Sequence, residues 1–139
     1  MTFLLDTNAV SEPQKPKPDQ GYLAWIEAQA ADSLNVSVLT VGELRRGLLA
    51  LPVGARRSRL EAWMIEALTA FGERILPIDL PIVTAWADLG AHHKRLGRVV
   101  SAVDELVAAT ALAHDLTVVT RNVRDFETSG CKLLSPWSD

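Results

Sequence analysis

A single cysteine, Cys131, excludes an internal disulfide in this 139-residue chain. Its apolar flank at Leu133 and Leu134 marks it as a small buried residue in a reducing compartment. No uninterrupted apolar stretch approaches the ~20 residues that span a bilayer. No basic segment leads into a long apolar core near Phe3-Leu4-Leu5, so neither a membrane span nor a leader is expected, and the expected location is the cytoplasm. Repeats and low-complexity tracts are lacking. The three histidines, His92, His93 and His114, show no zinc-ligand spacing with Cys131 and read as structural or surface residues. What is present is ordinary for a packed protein, with 48% hydrophobic and 22% charged residues. At this length folding buries roughly 68% of the unfolded chain's surface, enough for a core without staples. One domain, residues 1–139, is expected.

The formal charge of −3 argues at first against a nucleic-acid partner,. Its distribution is uneven. Arg45, Arg46, Arg56, Arg57 and Arg59 gather in the first half, and Lys94, Arg95, Arg98, Arg121 and Arg124 in the second. Solvated helix faces account for either group equally well.

Strands and helices alternate along the chain. Thr2 to Leu5 reads as a buried strand that stops at Asp6-Thr7-Asn8, residue types that favour turns and caps. Pro13, Pro16 and Pro18 make Glu12 to Asp19 an exposed connection. Helical spacing follows at Tyr22, Leu23, Trp25, Ile26 and Ala30, and a second strand fits Leu34 to Val38. Thr40 with Glu43 has the spacing of a capping box for a helix that ends near Pro52. Leu60 to Phe71 is amphipathic and ends at Gly72. Ile75 to Ile78 is a short strand; Asp79 and Pro81 open a helix that runs to about Leu96. Ser101 caps Ala102 to His114, and Leu116 to Thr120 is a β-branched, buried strand. The turn Arg121 to Glu127 leads to a last strand at Lys132 to Leu134. This order predicts an α/β fold on a parallel sheet, with its site outside the carboxyl ends of the strands.

Acidic residues stand at those ends. Asp6 directly follows the first strand, and Asn122 and Asp125 follow the fourth; each alone is an ordinary turn residue. Glu43 is either a capping-box partner or surface pair with Arg46, or it belongs to a site. Gly47, four residues on, costs roughly 0.5–1 kcal/mol in a helix relative to alanine and suggests the close approach of a backbone or ligand. Asp104 opens a helix that is apolar on most sides, above the small residues Ala108 and Ala111. Its neighbour Glu105 is expected to be solvated. Carboxylates brought to one rim without a cation either take up protons or bind a metal, and an all-oxygen set suits Mg²⁺ or Mn²⁺. Arg45, Arg46, Arg121 and Arg124 neighbour these positions and either grip a phosphate backbone or balance the acids.

Leu4-Leu5-Asp6-Thr7-Asn8, Glu43-Leu44-Arg45-Arg46-Gly47, Asp104-Glu105-Leu106-Val107-Ala108-Ala109-Thr110-Ala111 and Thr120-Arg121-Asn122 with Asp125-Phe126 together resemble the PIN-domain ribonucleases. The resemblance is to the VapC toxins and their FitB-like branch, which share Ser11-Glu12-Pro13 and a terminal Pro136-Trp137. It covers essentially the whole chain. It implies a three-layer α/β/α sandwich on a mostly parallel sheet. It also implies Asp6, Glu43 and Asp104 as the acidic metal-site positions, with Mg²⁺ as cofactor and Mn²⁺ as a substitute. The fourth position is often acidic; here it holds Asn122, with Asp125 close behind. Thr7, Asn8 and Thr120 would orient carboxylates or water.

The same resemblance implies an RNA substrate and a cognate small DNA-binding antitoxin that fills the acidic pocket, often with an arginine. It also implies a homodimer that joins the antitoxin in a heteromeric complex and meets operator DNA only through it. Tyr22 to Ala30 and Leu60 to Phe71 are candidate contact surfaces or core. A haloacid-dehalogenase-type phosphatase would want an aspartate where Asn8 stands. A non-catalytic corepressor on the same scaffold would have no need of the acids.

Overall fold

The computed structural model describes residues 1–139. Five short strands, β1 (Phe3–Leu5), β2 (Leu34–Ser37), β3 (Ile75–Leu76), β4 (Thr117–Val119) and β5 (Lys132–Leu134), form one sheet in the order β3-β2-β1-β4-β5. Every pairing is parallel. The helices are α1 (Thr7–Ser11), α2 (Gln20–Glu27), α3 (Val38–Leu49), α4 (Ala55–Phe71), α5 (Leu80–Arg95) and α6 (Ala102–His114). No helix is long and apolar enough to cross a membrane.

The alternation of strand side chains makes three layers. Phe3 and Leu5 of β1, with Val36 and Val119, point to one face and pack with Ala9, Val10, Tyr22 and Trp137. Partly buried Leu44 of α3 and Trp63 and Phe71 of α4 complete that face. Leu4 and Val118 point the other way, onto Leu89 of α5 and Val107, Ala108 and Ala111 of α6. A sheet covered on both sides needs apolar residues at every strand position, which is why the three residues of β1 are all buried. The expected α/β/α sandwich is present.

The strand order sets the site. From β1 the chain moves outward to β2 and β3, then returns across the sheet to β4 on the other side of β1. The direction in which strands are added to the sheet therefore reverses between the parallel neighbours β1 and β4, the position at which a crevice opens outside their carboxyl ends,. Asp6 follows β1 there, and Thr120 follows β4.

Several local expectations are corrected. Ser37, not Thr40, caps α3: its hydroxyl accepts from Leu39 N at 3.1 Å. The helix starts directly from β2, so Thr40 already lies inside it, and its buried hydroxyl has no hydrogen-bond partner. Glu12 to Asp19 is not wholly exposed. Glu12–Gln14 forms a 3₁₀ turn, and Glu12 is buried because Trp137 Nε1 (2.8 Å), Asp19 N (3.1 Å) and Lys15 Nζ (3.0 Å) surround its carboxylate. Trp137 in turn stacks on Tyr22 at 4.6 Å between ring centroids. Glu105 is not solvated. It sits one residue round α6 from Asp104, on the side that α5 covers, and bonds His93 Nδ1 at 2.7 Å; both are buried. Cys131 is only half-buried, on the outermost side of the sheet, against Ser129 at 3.0 Å.

Candidate active site

Asp6 is the most enclosed of the acids, with 8% of its surface exposed. It caps α1: Oδ1 accepts from Thr7 N at 2.9 Å. Oδ2 accepts from the Thr120 hydroxyl at 2.9 Å and from Asn8 Nδ2 at 3.4 Å. Burial drives its pKa from 3.8 to about 6; Thr7 N–H and the Thr120 hydroxyl pull it down, and the charges of Asp104 and Glu43 push it up. Those last two influences place Asp6, Glu43 and Asp104 in one electrostatic neighbourhood, although they arise from β1, α3 and α6.

Glu43 is exposed, and its Oε1 accepts from Thr7 Oγ1 at 2.5 Å. Its partner is thus a residue on α1 and not Thr40 or Arg46. Asp104 stands in the first turn of α6, which Ser101 caps through Asp104 N at 3.1 Å. Burial raises the Asp104 pKa, the Ser101 hydroxyl opposes this, and the charges of Asp125 and Glu43 raise it further. Asp125 is exposed in the 3₁₀ turn Val123–Asp125. Asn122 N donates to Thr120 Oγ1 at 3.0 Å, while the Asn122 side chain bonds none of the acids. Asp125, then, is the member of the Asn-x-x-Asp pair whose charge reaches the cluster.

Thr7, Asn8 and Thr120 form the frame beneath these groups. Asn8 Nδ2 also donates to Thr120 Oγ1 at 3.3 Å, and Asn8 Oδ1 accepts from Arg121 N at 3.2 Å. One amide thus joins the end of β1 to the end of β4. Asn8 is fully occupied in that role, which leaves it no part as the second aspartate of a phosphatase.

No lysine or arginine pairs with Asp6, Glu43, Asp104 or Asp125. The four arginines expected nearby divide. Arg45 pairs with Glu61 at 2.9 Å, and Arg121 pairs with Asp139. Arg46 and Arg124 are exposed and make no ion pair; Arg124 offers its carbonyl oxygen to Arg98 Nη2 at 2.7 Å. The cluster is therefore negative and uncompensated, with oxygen donors alone, a set that suits a hard divalent cation. No three of its side chains close around a single point as a finished cage.

Beside the acids the sequence reading missed a trough of about 250 Å³ between α1, α3 and α4. Thr7 and the Glu43 carboxylate form its polar end, Leu44, Leu48 and Leu51 one wall, and Leu60, Trp63 and Met64 the other. The stripe from Leu60 to Phe71 thus serves both as core and as trough wall. Its apolar periodicity was visible; its open side was not. Gly47 lines the same wall, and a Cβ there would meet nothing within 4 Å, so no backbone crowds it.

Comparison with known proteins places these features in context. The PIN domain family model matches residues 3–128. The chain is 45% identical to the VapC ribonuclease Y4jK of Sinorhizobium fredii, over 97% of each protein. It is 36% identical to Toxin FitB of Neisseria gonorrhoeae, over 99% of each. The structure of FitAB bound to an IR36 DNA fragment superimposes with a TM-score of 0.94 at 34% identity, over 99% of this chain and 97% of that one.

Proposed function

The chain belongs to the PIN-domain family, and from that premise we propose that it is the ribonuclease toxin of a toxin–antitoxin pair, dependent on Mg²⁺ with Mn²⁺ as a substitute. What supports the reading is that the charges of Asp104 and Glu43 act on Asp6, those of Asp125 and Glu43 act on Asp104, and no lysine or arginine pairs with any of the four.

Asp6 and Asp104 are the residues that would hold the ion, with Glu43 beside them. When bound, a divalent ion neutralises a non-bridging phosphate oxygen and acidifies a neighbouring water. The protein's own groups do the rest. Thr7 fixes Glu43 Oε1 through its hydroxyl, so Glu43 can orient the attacking water and receive its proton. The water oxygen bonds to phosphorus in line with the leaving 3′-oxygen, the P–O3′ bond breaks, and that oxygen takes a proton from solvent. The products are a 5′-phosphate and a 3′-hydroxyl. Thr120 and Asn8 hold Asp6 in place throughout. Asp125 serves as the fourth acid: it supplies the carboxylate that Asn122 lacks, and its charge acts on Asp104.

The relatives bear on partners. FitAB, whose structure with DNA resembles this chain, supports pairing with a cognate DNA-binding antitoxin through which operator DNA is reached. An antitoxin segment with apolar residues along the trough and an arginine among the acids would satisfy both halves of the surface. A homodimer in the cytoplasm is the expected assembly.

The test is to incubate purified toxin with total RNA in Mg²⁺, in Mn²⁺ and in EDTA, and to map the ends. Cleavage that leaves 5′-phosphates, requires the ion and disappears in Asp6→Asn and Asp104→Asn supports the reading. Cleavage undiminished in either variant would refute it.

A further inference from the structure

The acidic centre creates a difficulty for an RNA nuclease. A strand that places one phosphate among four carboxylates brings its neighbouring phosphates into a repulsive field, in a chain whose formal charge is −3,. Something positive outside the centre must hold the strand. Arg45 and Arg121 are already engaged with Glu61 and Asp139, and the exposed, unpaired Arg46 and Arg124 lie beside the acids themselves rather than further along the strand.

The trough leads to another candidate. A second hollow of about 400 Å³ is lined by Gln14, Pro16, Arg56, Arg59 and Leu60. Gln14 and Leu60 line both hollows, so the hollow that holds the two guanidinium groups adjoins the one that starts at Thr7 and Glu43. Neither arginine has a carboxylate within ion-pair distance. Arg56, Arg57 and Arg59 crowd the start of α4, where there is no acidic residue in the first turn. The helix dipole is positive at that end and opposes them. Three unpaired cations where the helix disfavours cations is a local conflict, and such conflicts concentrate at functional surfaces.

We propose that Arg56 and Arg59 form a phosphate-binding cleft that grips the RNA strand beyond the scissile position. The proposal rests on the ribonuclease reading and names where the substrate's backbone lies. RNA fits the cleft better than an acidic protein segment does. The guanidinium fork matches a phosphate, and a strand that leaves the centre on this side carries its next phosphates past the two groups.

The measurement is the anisotropy of a fluorescein-labelled oligouridylate of about 12 nucleotides, in EDTA and across a KCl series, with wild type, Arg56→Gln/Arg59→Gln and Arg95→Gln. Both arginines of the double variant are exposed, and a melt no lower than that of wild type certifies its fold. Single strands lose about 0.7 in the slope of log K against log salt per phosphate contact. The double variant should therefore lower that slope by about 1.4 and weaken binding about tenfold near 0.15 M salt. Arg95→Gln, on α5, should leave both unchanged. In cleavage of total RNA, the double variant should raise KM and keep kcat, the signature of lost uniform binding.

A salt slope equal to that of wild type overturns the cleft. So does an unchanged slope accompanied by weaker binding of the antitoxin, which assigns the arginines to the partner. The two readings fail separately. If wild type cuts RNA with the divalent ion while the slope is unchanged, the cleft falls and the nuclease stands. If the slope drops as stated but no ion-dependent cleavage exists, the cleft stands and the nuclease falls.

Discussion

Asp6→Asn should stabilise the protein at neutral pH while abolishing its activity. In the native state the Asp6 pKa rises from 3.8 to about 6, chiefly because the carboxylate is buried. The native protein therefore binds more protons than the unfolded chain between those values, and stability falls as pH rises through that interval. The displacement corresponds to roughly 3 kcal/mol,. Asparagine abolishes the titration but also places an amide donor where Thr120 and Asn8 already donate. The net gain is thus about 1–3 kcal/mol above pH 6, or about 3–10 °C in Tm at this chain length. Thermal melts of both proteins in EDTA from pH 4 to 8 give the difference directly. It should rise by about 2–3 kcal/mol from pH 4 to a plateau above pH 6,. Addition of Mn²⁺ should raise the Tm of wild type alone, through a stabilisation of about 2.7 kcal/mol at a hundredfold excess over Kd. A difference that stays flat across the pH range, or that shows wild type more stable at pH 7, would refute the argument.

Thr120→Val removes a donor to Asp6 Oδ2 and the acceptor for Asn122 N. It should cost about 1–3 kcal/mol in urea melts and move the acidic limb of the cleavage pH profile upward, since Asp6 loses one stabiliser of its charge. Trp137→Ala empties a buried stack on Tyr22 and leaves the Glu12 carboxylate one donor short. The expected loss is about 3–5 kcal/mol by urea denaturation, with kcat little changed in whatever remains folded. Asp125→Asn should lower the cleavage rate, measured at saturating Mg²⁺, far more than Asn122→Ala. The reverse order would return the fourth position to Asn122.

What was legible in the chain followed from local physics. β1 and β4 were readable because strands buried on both faces are continuous apolar runs, and Asp6 and Asp104 were readable because each interrupts or opens an apolar element. What was not legible depends on which elements meet. The apolar character of α6 gives no sign of which side faces α5, so Glu105 looked solvated, yet it meets His93. Ser37 and Thr40 are equivalent as caps until the end of β2 is known. Arg45 and Arg121 pair with Glu61 and Asp139, 16 and 18 residues away, and no spacing rule distinguishes them from Arg56 and Arg59, which are free. The trough was hidden for the same reason: its two walls belong to different helices.

The frame around Asp6 explains why the acids remain available to a cation. A buried carboxylate can be stabilised by a neighbouring arginine, by hydrogen-bond donors or by proton uptake. An arginine would neutralise Asp6 and fill the space beside it. Here neutral donors are used instead: the Thr7 amide, the Thr120 hydroxyl and, more weakly, the Asn8 amide. Their dipoles hold the side chain in one orientation and pull its pKa down, but they do not overcome the cost of burial, the largest cause of the raised pKa, to which Asp104 and Glu43 add. The frame thus fixes geometry without cancelling charge. Replacement of Asn8 by lysine would test the distinction, because it supplies the missing cation from within. That variant should gain stability above pH 6, lose its response to Mn²⁺ and cease to cleave, with all three changes arising at one position.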